Sequence, residues 1–536
     1  MAVLALLCVA PSSLLAEDDD ATLRVTFDGG DDMFLDPGLV DGVAGDPSWT
    51  ILANTNNGLL AFKRKPNGAG TELEPDLATR IPTAEDNGRR YTFNVRPGVK
   101  FSDDKAGEVT AADVKWSIER ALYLDSTGDG RRSLLNIVGA PRAAKLGSAS
   151  GGISGIEAVD DRTLTIRLRE AEPGFLKVLA MPWTFVLPNR TPVNDEGTNG
   201  LPATGPYVIR RYEPDRVVQL AKNNNWDQTK SPRDRDLPTR FNRIEVSIGV
   251  SPREGLERIR GGEADLTLSP ILPSDLKRFA GRPEVQIERA RPRLSTVAFF
   301  MNTREKPFDD PLVRHAVNVA IDRGRLAAFF NEQAVGTAQV LPPTYPEFRR
   351  QSVRNGDIPA ALKLIKKAKL TPDELRVTIW SPRDQPVIGV SRYLESVLKD
   401  LGFKVRITYL ETFVYKDRIG QKDTRAQIGY VSWLATVPDG ADIFRLLDGG
   451  EIRGDGNPNP SYYTSADTSI DRARATPVGV KRDSAWAAVD AQVSRDVPWV
   501  PFANLTKSDM ISSRIVADSY VYSPVFGQLW SLMRTK

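Results

Sequence analysis

Residues 301–323 read MNTREKPFDDPLVRHAVNVAIDR, and the second half of this stretch has the pattern of an amphipathic helix. Asp310 can cap the helix with Pro311 at its first position, where the missing N–H of proline does no harm. Apolar residues then follow at the spacing that places them on one helix face. They are Val313, Ala316, Val317, Ala320 and Ile321. The pattern predicts a helix that begins at Pro311 and packs this face against a core.

Shorter segments on both sides of this helix alternate apolar and polar residues, which is typical of half-buried strands. We predict strands at 91–95, 164–168, 244–248, 377–379 and 405–409. A second helix is predicted from Thr110, because Thr110 and Asp113 can form a capping box. A third runs through Tyr393 and ends at Gly402. Strands and helices therefore alternate along most of the chain, which predicts α/β lobes with mixed sheets.

Length and composition limit the classes of protein that fit. The chain has 536 residues, of which 40% are apolar and 26% charged, so it can form a substantial core over roughly three to four structural units. The 72 Lys and Arg nearly cancel the 69 Asp and Glu, leaving a net charge of +3. We find no basic stripe, so nucleic acid is not an expected partner.

The N-terminus has the pattern of an export signal. Residues 2–16 are mostly apolar and run into four acidic residues at 17–20, so residues 1–20 are interpreted as a signal segment that is too short to span a membrane. Cys8 is the one cysteine, but Leu7 stands where a lipid-attachment site needs a small residue, so lipid anchoring is not expected. The interpretation predicts a protein that is exported and soluble.

The supply of reactive side chains argues against most enzyme classes. His315 is the one histidine and lies in the helix at Pro311, which leaves no HExxH motif and no three-histidine metal site. No nucleophile elbow, Walker A loop or GxGxxG motif is present. Asp125, Asp129 and Gly130 partly imitate a calcium loop, but its third and twelfth positions are uncharged, so a glycine-rich turn is the interpretation. We therefore predict no catalytic residue, no metal and no cofactor.

An aromatic residue is better placed for binding. Residues 429–440 read GYVSWLATVPDG, the pattern of a strand that ends in a loop. Ligand contacts gather in such loops, and Trp433 either closes the core or stacks on a ligand. Spacing alone favours the core.

Six blocks together resemble one family, the extracellular solute-binding proteins, family 5, of ABC transporters for peptides, nickel and oligosaccharides. The blocks are YTFNVRPGVKFSDD at 91–104 with VTAADVKWSIERAL at 109–122, ATGPYVIRRYEPDRVVQLAKNNNWD at 203–227, GGEADL at 261–266, the stretch at 301–323, and LKDLGFKVRITYLE at 398–411. They occur in the order of the family, and the resemblance covers the chain from about Leu23 to its C-terminus.

The resemblance implies a two-lobed α/β fold of the periplasmic-binding-protein type II class, with an extra domain, mixed sheets and a ligand cleft between the lobes. Lobe I would combine residues 21–60, 190–290 and 500–536, the additional domain would span 61–189, and lobe II would span 291–499. It also implies a monomer in the periplasm that closes on a solute by hinge rotation and delivers it to a membrane permease.

The resemblance also implies site residues. The segment LDPGLVDGV at 35–43 would place Asp41, Gly42 and Val43 along an extended ligand, and Trp433 would line the cleft. Peptide-binding members have an aspartate three residues after this tryptophan, which pairs with the α-amino group of the peptide. Here the position is Thr436, so we expect either a re-routed loop that brings in Asp439, a role for Asp41, or a ligand without an ammonium group.

The main hypothesis is therefore a non-catalytic receptor for a small oligomeric solute, with a peptide as the first choice. Three alternatives stay open from the sequence. One is a receptor for an oligosaccharide or another non-peptide solute, and another is a hydrolase that uses a pair of carboxylates. The third is a scaffold or peptide chaperone that has lost its coupling to transport.

Overall fold

The computed structural model describes residues 22–29, 33–40, 42, 45–64, 70–124, 129–141, 152–198, 200–230, 241–352, 355–421, 423–454 and 456–536. The predicted signal segment, residues 125–128 of the calcium-like loop, Asp41 and Val43 lie outside the described residues.

Strands and helices alternate through the described residues. The strands are β1 (Thr22–Phe27), β2 (Leu60–Phe62), β3 (Leu73–Pro75), β4 (Arg90–Asn94), β5 (Ile156–Ala158), β6 (Thr163–Arg167), β7 (Tyr207–Glu213), β8 (Val217–Lys222), β9 (Arg243–Ile248), β10 (Leu266–Thr267), β11 (Val285–Pro292), β12 (Ser295–Met301), β13 (Ala334–Gly336), β14 (Arg376–Pro382), β15 (Lys404–Leu410), β16 (Ile428–Leu434), β17 (Trp499–Ser512), β18 (Tyr522–Ser523) and β19 (Gly527–Gln528). The helices are α1 (Pro47–Thr55), α2 (Ala111–Tyr123), α3 (Asp129–Leu134), α4 (Phe175–Val178), α5 (Pro252–Gly261), α6 (Pro273–Phe279), α7 (Pro311–Ala320), α8 (Arg323–Ala328), α9 (Ile358–Ala368), α10 (Val387–Asp400), α11 (Thr412–Ile419), α12 (Gly440–Phe444), α13 (Asp467–Ala475) and α14 (Val480–Asp496).

The local sequence signals form the elements they predict. All five predicted strands are present, as β4, β6, β9, β14 and β15. Thr110 caps α2 in a capping box with Asp113, and Asp310 caps α7 with Pro311 at its first position. Helix α10 ends at Asp400, and Gly402 then turns the chain at φ +94°, a conformation that glycine adopts without strain. Capping chemistry therefore fixes where these helices begin and end.

A 12-stranded mixed sheet runs through two lobes, in the order β15-β14-β16-β12-β17-β10-β1-β9-β8-β7 with β11 and β13 also paired to β17. Strand β17 joins the halves, because its residues 499–503 pair with β12 and its residues 506–512 pair with β11. A separate three-stranded sheet, β4-β6-β5, lies in the region 61–189. The two passages of the chain between the lobes are thus β17 and the connection from β11 to β12.

Each lobe has its own core, and the largest core is centred on the region 61–189 and also includes Trp49 and Phe526 of lobe I. Lobe I packs β1, β8 and β9 around residues such as Val25 and Ile244, and lobe II packs α7 and α10 on β12 and β14. The largest core continues from Phe175 and Trp183 into Phe444 and Trp486 of lobe II. The region 61–189 therefore contacts lobe II through buried apolar side chains. No helix in the described part of the chain is both long enough and apolar enough to cross a membrane.

Candidate functional site

A cavity of about 370 Å³ lies between the region 61–189 and lobe II. One wall includes Glu172 and Gly174, and the other includes Thr436, Asp439 and Asp442. Two residues of the predicted site, Thr436 and Asp439, therefore line one cavity. The walls come from parts of the chain more than 250 residues apart, so only the tertiary fold brings them together.

The loop that follows β16 is held by one carboxylate. Asp442, on α12, accepts hydrogen bonds from the indole N–H of Trp433 at 3.2 Å and from the backbone N–H of Thr436 at 3.0 Å. The guanidinium of Arg445 lies over the Trp433 ring, 4.8 Å from its centre. Trp433 itself is partly buried and packs against the largest core. Both the ring and the N–H of Trp433 thus have protein partners in this structure, and its role as a ligand contact stays a prediction.

Strand β16 has an edge that the sheet only partly covers. On one side it pairs with β12 along its whole length, from Ile428 to Leu434. On the other side β14 pairs with it at Ile428 and Gly429. Among the described residues, no strand pairs with the second edge of residues 430–434, although the Tyr430 carbonyl accepts from the hydroxyl of Tyr415 on α11 at 2.6 Å. This edge includes Trp433 and ends beside the cavity.

Asp439 is buried and neutralised by two cations. Its carboxylate accepts from the backbone N–H of Ala441 at the start of α12, and lies 2.8 Å from Arg482 Nη2 and 3.2 Å from Lys177 Nζ. Burial opposes ionisation, but the charges of Arg482 and Lys177 outweigh it and hold the pKa of Asp439 below its ordinary value. In this arrangement Asp439 supports the loop, and its proposed part in ligand binding stays a prediction.

Lys177 is the contribution of α4 to this cluster. Its ammonium donates to the carbonyl of Pro438 at 2.7 Å and lies 3.5 Å from Glu347 Oε1. Burial disfavours the charge of Lys177, yet the nearby Asp439 and Glu347 raise its pKa. Burial also raises the pKa of Glu347, although Lys177 opposes that shift. We call this group, Lys177, Glu347, Asp439 and Arg482, the seam cluster, because it joins the region 61–189 to lobe II.

Glu172 lies on the wall opposite Thr436. Its carboxylate accepts from the side-chain amide of Asn136 at 2.8 Å. Burial raises the pKa of Glu172, against the opposing effect of the Asn136 hydrogen bond, and the negative charge of Asp439 raises it further. No sequence motif marks this residue, which is one of 69 acidic residues in the chain. Only its position across the cavity from β16 gives it a functional context.

The segment 41–43 enters the described structure only at Gly42. Gly42 has φ +143°, in the range that favours glycine, and a Cβ at this position would lie 3.0 Å from Asp46 Oδ2. A second cavity, of about 340 Å³, begins next to this segment at Gly45 and Asp46 and extends to Lys507 on β17. The assignment of Asp41, Gly42 and Val43 to an extended ligand stays a prediction.

His315 and the carboxylates offer no metal site in the described residues, where no group of three His, Cys, Asp or Glu side chains is arranged to hold an ion. His315 is partly buried on α7, where burial and the charge of Arg314 lower its pKa.

Comparison with known proteins identifies the family. The model for "Bacterial extracellular solute-binding proteins, family 5 Middle" matches residues 72–455. The chain belongs to this family. Heme-binding protein A of Haemophilus influenzae is 25% identical over 493 residues, which cover 87% of this chain and 84% of that protein. Di/tripeptide-binding protein 2 of Pseudomonas aeruginosa is 26% identical over 499 residues, covering 89% and 88%.

Solved structures show the same fold for this family 5 protein. The clavulanic acid biosynthesis oligopeptide binding protein 2 matches with a TM-score of 0.82 at 22% identity, over 96% of this chain and 95% of that one. The murein tripeptide binding protein MppA in its unliganded open form matches with a TM-score of 0.80 at 19% identity, over 96% and 98%. The predicted two-lobed α/β fold and the predicted family are both confirmed.

Proposed function

We propose that this family 5 protein is a receptor that captures a small peptide between its lobes and delivers it to the permease of an ABC importer. The edge of β16 from Val431 to Leu434, which pairs with no strand in the described part of the chain, carries the proposal. An extended peptide that adds to a strand edge gains main-chain hydrogen bonds whatever its side chains are, which suits a receptor for varied peptides. The edge ends at Trp433, Thr436 and the charged cavity, where side chains can select among ligands.

Capture by hinge rotation is supported by the path of the chain. We propose the domain boundaries given by the sequence: 21–60, 190–290 and 500–536 for lobe I, 61–189 for the additional domain, and 291–499 for lobe II. Strand β17 and the β11–β12 connection pass between the lobes side by side as an antiparallel pair. Such a pair is a suitable hinge, because small backbone rotations in two adjacent strands turn one lobe relative to the other.

Binding without chemistry is the proposed mode of action, with no catalytic residue. Three carboxylates of the cavity lie within 4.0 Å of a cationic side chain: Asp439 near Arg482, Glu451 near Arg453, and Asp442 near Arg445. Of these three, Asp439 has its pKa held below the ordinary value by Arg482 and Lys177, and a carboxyl group with a lowered pKa is a weak general acid. The match to a family of solute-binding proteins supports a receptor over the carboxylate-dependent hydrolase.

Peptide is favoured over oligosaccharide as the solute. The name of the Pseudomonas aeruginosa relative specifies di- and tripeptides, and that protein is similar to this chain over most of both lengths. We further propose that the protein is exported to the periplasm and acts as a monomer, as the sequence predicts.

Calorimetry combined with X-ray scattering tests the proposal. The protein is titrated with a mixed pool of di- to pentapeptides and, separately, with a mixed pool of oligosaccharides. We expect binding heat and a smaller radius of gyration with the peptide pool alone, and peptides recovered unchanged by mass spectrometry. Heat with the oligosaccharides and none with the peptides contradicts the peptide assignment, and accumulation of hydrolysis products contradicts the receptor.

A further inference from the structure

All but one of the carboxylates on the cavity walls have a cationic side chain within 4.0 Å. Four carboxylates line the cavity, and three of them have a cationic partner at 2.8, 2.7 and 4.0 Å, as given above for Asp439, Glu451 and Asp442. The fourth is Glu172. In the described part of the chain no cationic side chain lies within 4.0 Å of its carboxylate, and its hydrogen-bond donor is the neutral amide of Asn136.

The position of Glu172 is fixed by the residues around it. Asn136 bonds the backbone of Glu170 twice, accepting from its N–H and donating to its C=O, both at 3.1 Å, in addition to the bond to the Glu172 carboxylate. Gly174 then allows the chain to approach the opposite wall, since a Cβ there would lie 2.9 Å from Arg482 Nη2 and 3.4 Å from Asp439 Cγ. Glu172 is therefore held beside the cavity rather than free to turn into solvent.

A carboxylate in this position is poorly stabilised while the cavity holds no cation. Removing a carboxylate from water is costly unless a cation or several hydrogen-bond donors replace the water. The raised pKa of Glu172 is consistent with that deficit, because burial and the negative charge of Asp439 outweigh the Asn136 hydrogen bond and the charges of Arg474 and Arg482, which lie beyond 4.0 Å. Of the cations on the cavity walls, Arg445, Arg453 and Arg474 each have an acidic partner within 4.0 Å. A cationic group of a ligand can supply the positive charge that Glu172 lacks at close range.

We infer that Glu172 binds a cationic group of the ligand, an ammonium or a guanidinium, from the wall opposite Thr436. This assignment rests on the proposed function and specifies which peptides the same site accepts. It makes Glu172 a specificity-determining residue that the additional domain supplies. Glu172 would then provide the negative charge that Thr436 on lobe II does not carry. The cation has two sources in peptides, the α-amino group and the side chains of Lys or Arg.

The experiment compares three tripeptides by calorimetry: free trialanine, N-acetyl-trialanine, and N-acetyl-Ala-Lys-Ala. Each is titrated into the wild-type protein, Glu172→Gln, and the matched control Glu170→Gln, whose glutamate is exposed two residues away. We expect the wild type and the control to bind at least one cationic tripeptide about tenfold or more tightly than N-acetyl-trialanine, the size of a charge-assisted hydrogen bond. Preference for free trialanine identifies the α-amino group as the source, and preference for the lysine peptide identifies the side chain.

In Glu172→Gln the preference for the cationic tripeptide should disappear, with little change for N-acetyl-trialanine. Because the glutamine removes a poorly stabilised carboxylate, the variant should unfold at a temperature no lower than the wild type. Glu172→Ala serves as a second variant with the same expected loss. Equal binding of all three tripeptides by the wild type overturns the inference and leaves the peptide receptor standing. A preference that persists in both variants overturns the assignment to Glu172. Failure of the wild type to bind any tripeptide or any member of the peptide pool overturns the proposed function itself.

Discussion

Two buried ion clusters attach the region 61–189 to the rest of the molecule, and they differ in how completely their polar groups are hydrogen-bonded. Arg120 on α2 donates from its two terminal nitrogens, Nη1 and Nη2, to the two carboxylate oxygens of Asp36 in the N-terminal segment, each at 2.6 Å. It also donates to the carbonyls of Pro192 and Asn194. Asp36 accepts further backbone bonds from Gly38 and Glu196. Bidentate geometry with every group paired is the strongest form of a buried ion pair.

The seam cluster, which joins the region 61–189 to lobe II, is less complete. Glu347 Oε2 in the cluster, and Thr344 Oγ1 and Tyr345 Oη in the same segment, are buried without a hydrogen-bond partner among the described residues. Such groups leave interaction energy unused, so the contact tolerates rearrangement more readily than the Asp36 pair. From this difference we expect that the region 61–189 moves with lobe I during the proposed closure, and that its polar contact with lobe II is the one that rearranges.

The largest effect is expected at the fixed joint. Asp36→Asn leaves the Arg120 guanidinium buried without its counter-ion, and because arginine does not lose its proton, the free energy of unfolding should fall by about 3–5 kcal/mol. Urea denaturation measures it. Asp103→Asn, which breaks an exposed ion pair with Arg190, is the control and should cost less than about 1 kcal/mol. Similar losses in the two variants would contradict a special role for the Asp36 pair.

A pH-dependent effect is expected from Asp490, which fixes the segment that carries Glu347. Asp490 accepts from the backbone of Val340 and the side chain of Gln339, and burial raises its pKa to about 6. The folded protein therefore binds this proton more tightly than the unfolded chain, and the contribution to stability falls as pH rises from about 4 to about 6, by at most about 3 kcal/mol.

Asp490→Asn should remove that part of the pH dependence. The measurement is the free energy of unfolding in urea at several pH values between 4 and 7 for the wild type and the variant. Curves that stay parallel across this range would show that Asp490 does not titrate there.

A smaller loss is expected at the seam. Lys177→Met leaves Asp439 still paired with Arg482 at 2.8 Å, and Glu347, whose pKa burial already raises, can take up a proton. We expect a loss of about 1–2 kcal/mol in urea denaturation. The exposed Lys277→Met is the control and should change little. A loss as large as that of Asp36→Asn would remove the distinction between the two joints.

The smallest effect is expected at Trp433, in the strand that leads to the cavity beside the seam cluster. Trp433→Phe keeps the aromatic ring but removes the N–H that donates to Asp442, which retains its bond from Thr436. The free energy of unfolding should fall by about 0.5–1.5 kcal/mol. Thermal unfolding monitors the change, and a loss above about 3 kcal/mol would mean that the indole N–H does more than hold this loop.

Sequence reasoning succeeded where the deciding interactions are local. The capping box of Thr110 and Asp113, the cap at Asp310 and the glycine stop at Gly402 need only neighbours within a few residues. Period-two patterns located the strands for the same reason. The strand that ends at Trp433 was also predicted, and Thr436 and Asp439 do line one cavity.

Interactions between distant segments could not be predicted from the sequence. Sequence reasoning singled out Asp439 as an acidic residue near a loop, but nothing local shows that Lys177 and Arg482 neutralise it. No sequence pattern marked Glu172, because its proposed role depends on the absence of a cationic side chain within 4.0 Å in the described part of the structure. Neither fact has a pattern in the neighbouring residues.

The amino-acid sequence by itself determined the ends of helices such as α2 and α7 and the alternation of strands and helices, because these follow from local hydrogen bonding and apolar spacing. The family, and with it the two lobes, followed from a resemblance carried by motifs in order. The tertiary structure alone decided which charges are neutralised and which carboxylate remains for a ligand. Electrostatic interactions depend on distance in space and on burial, and both are set only when segments far apart in the chain, such as 172–177 and 436–442, pack together.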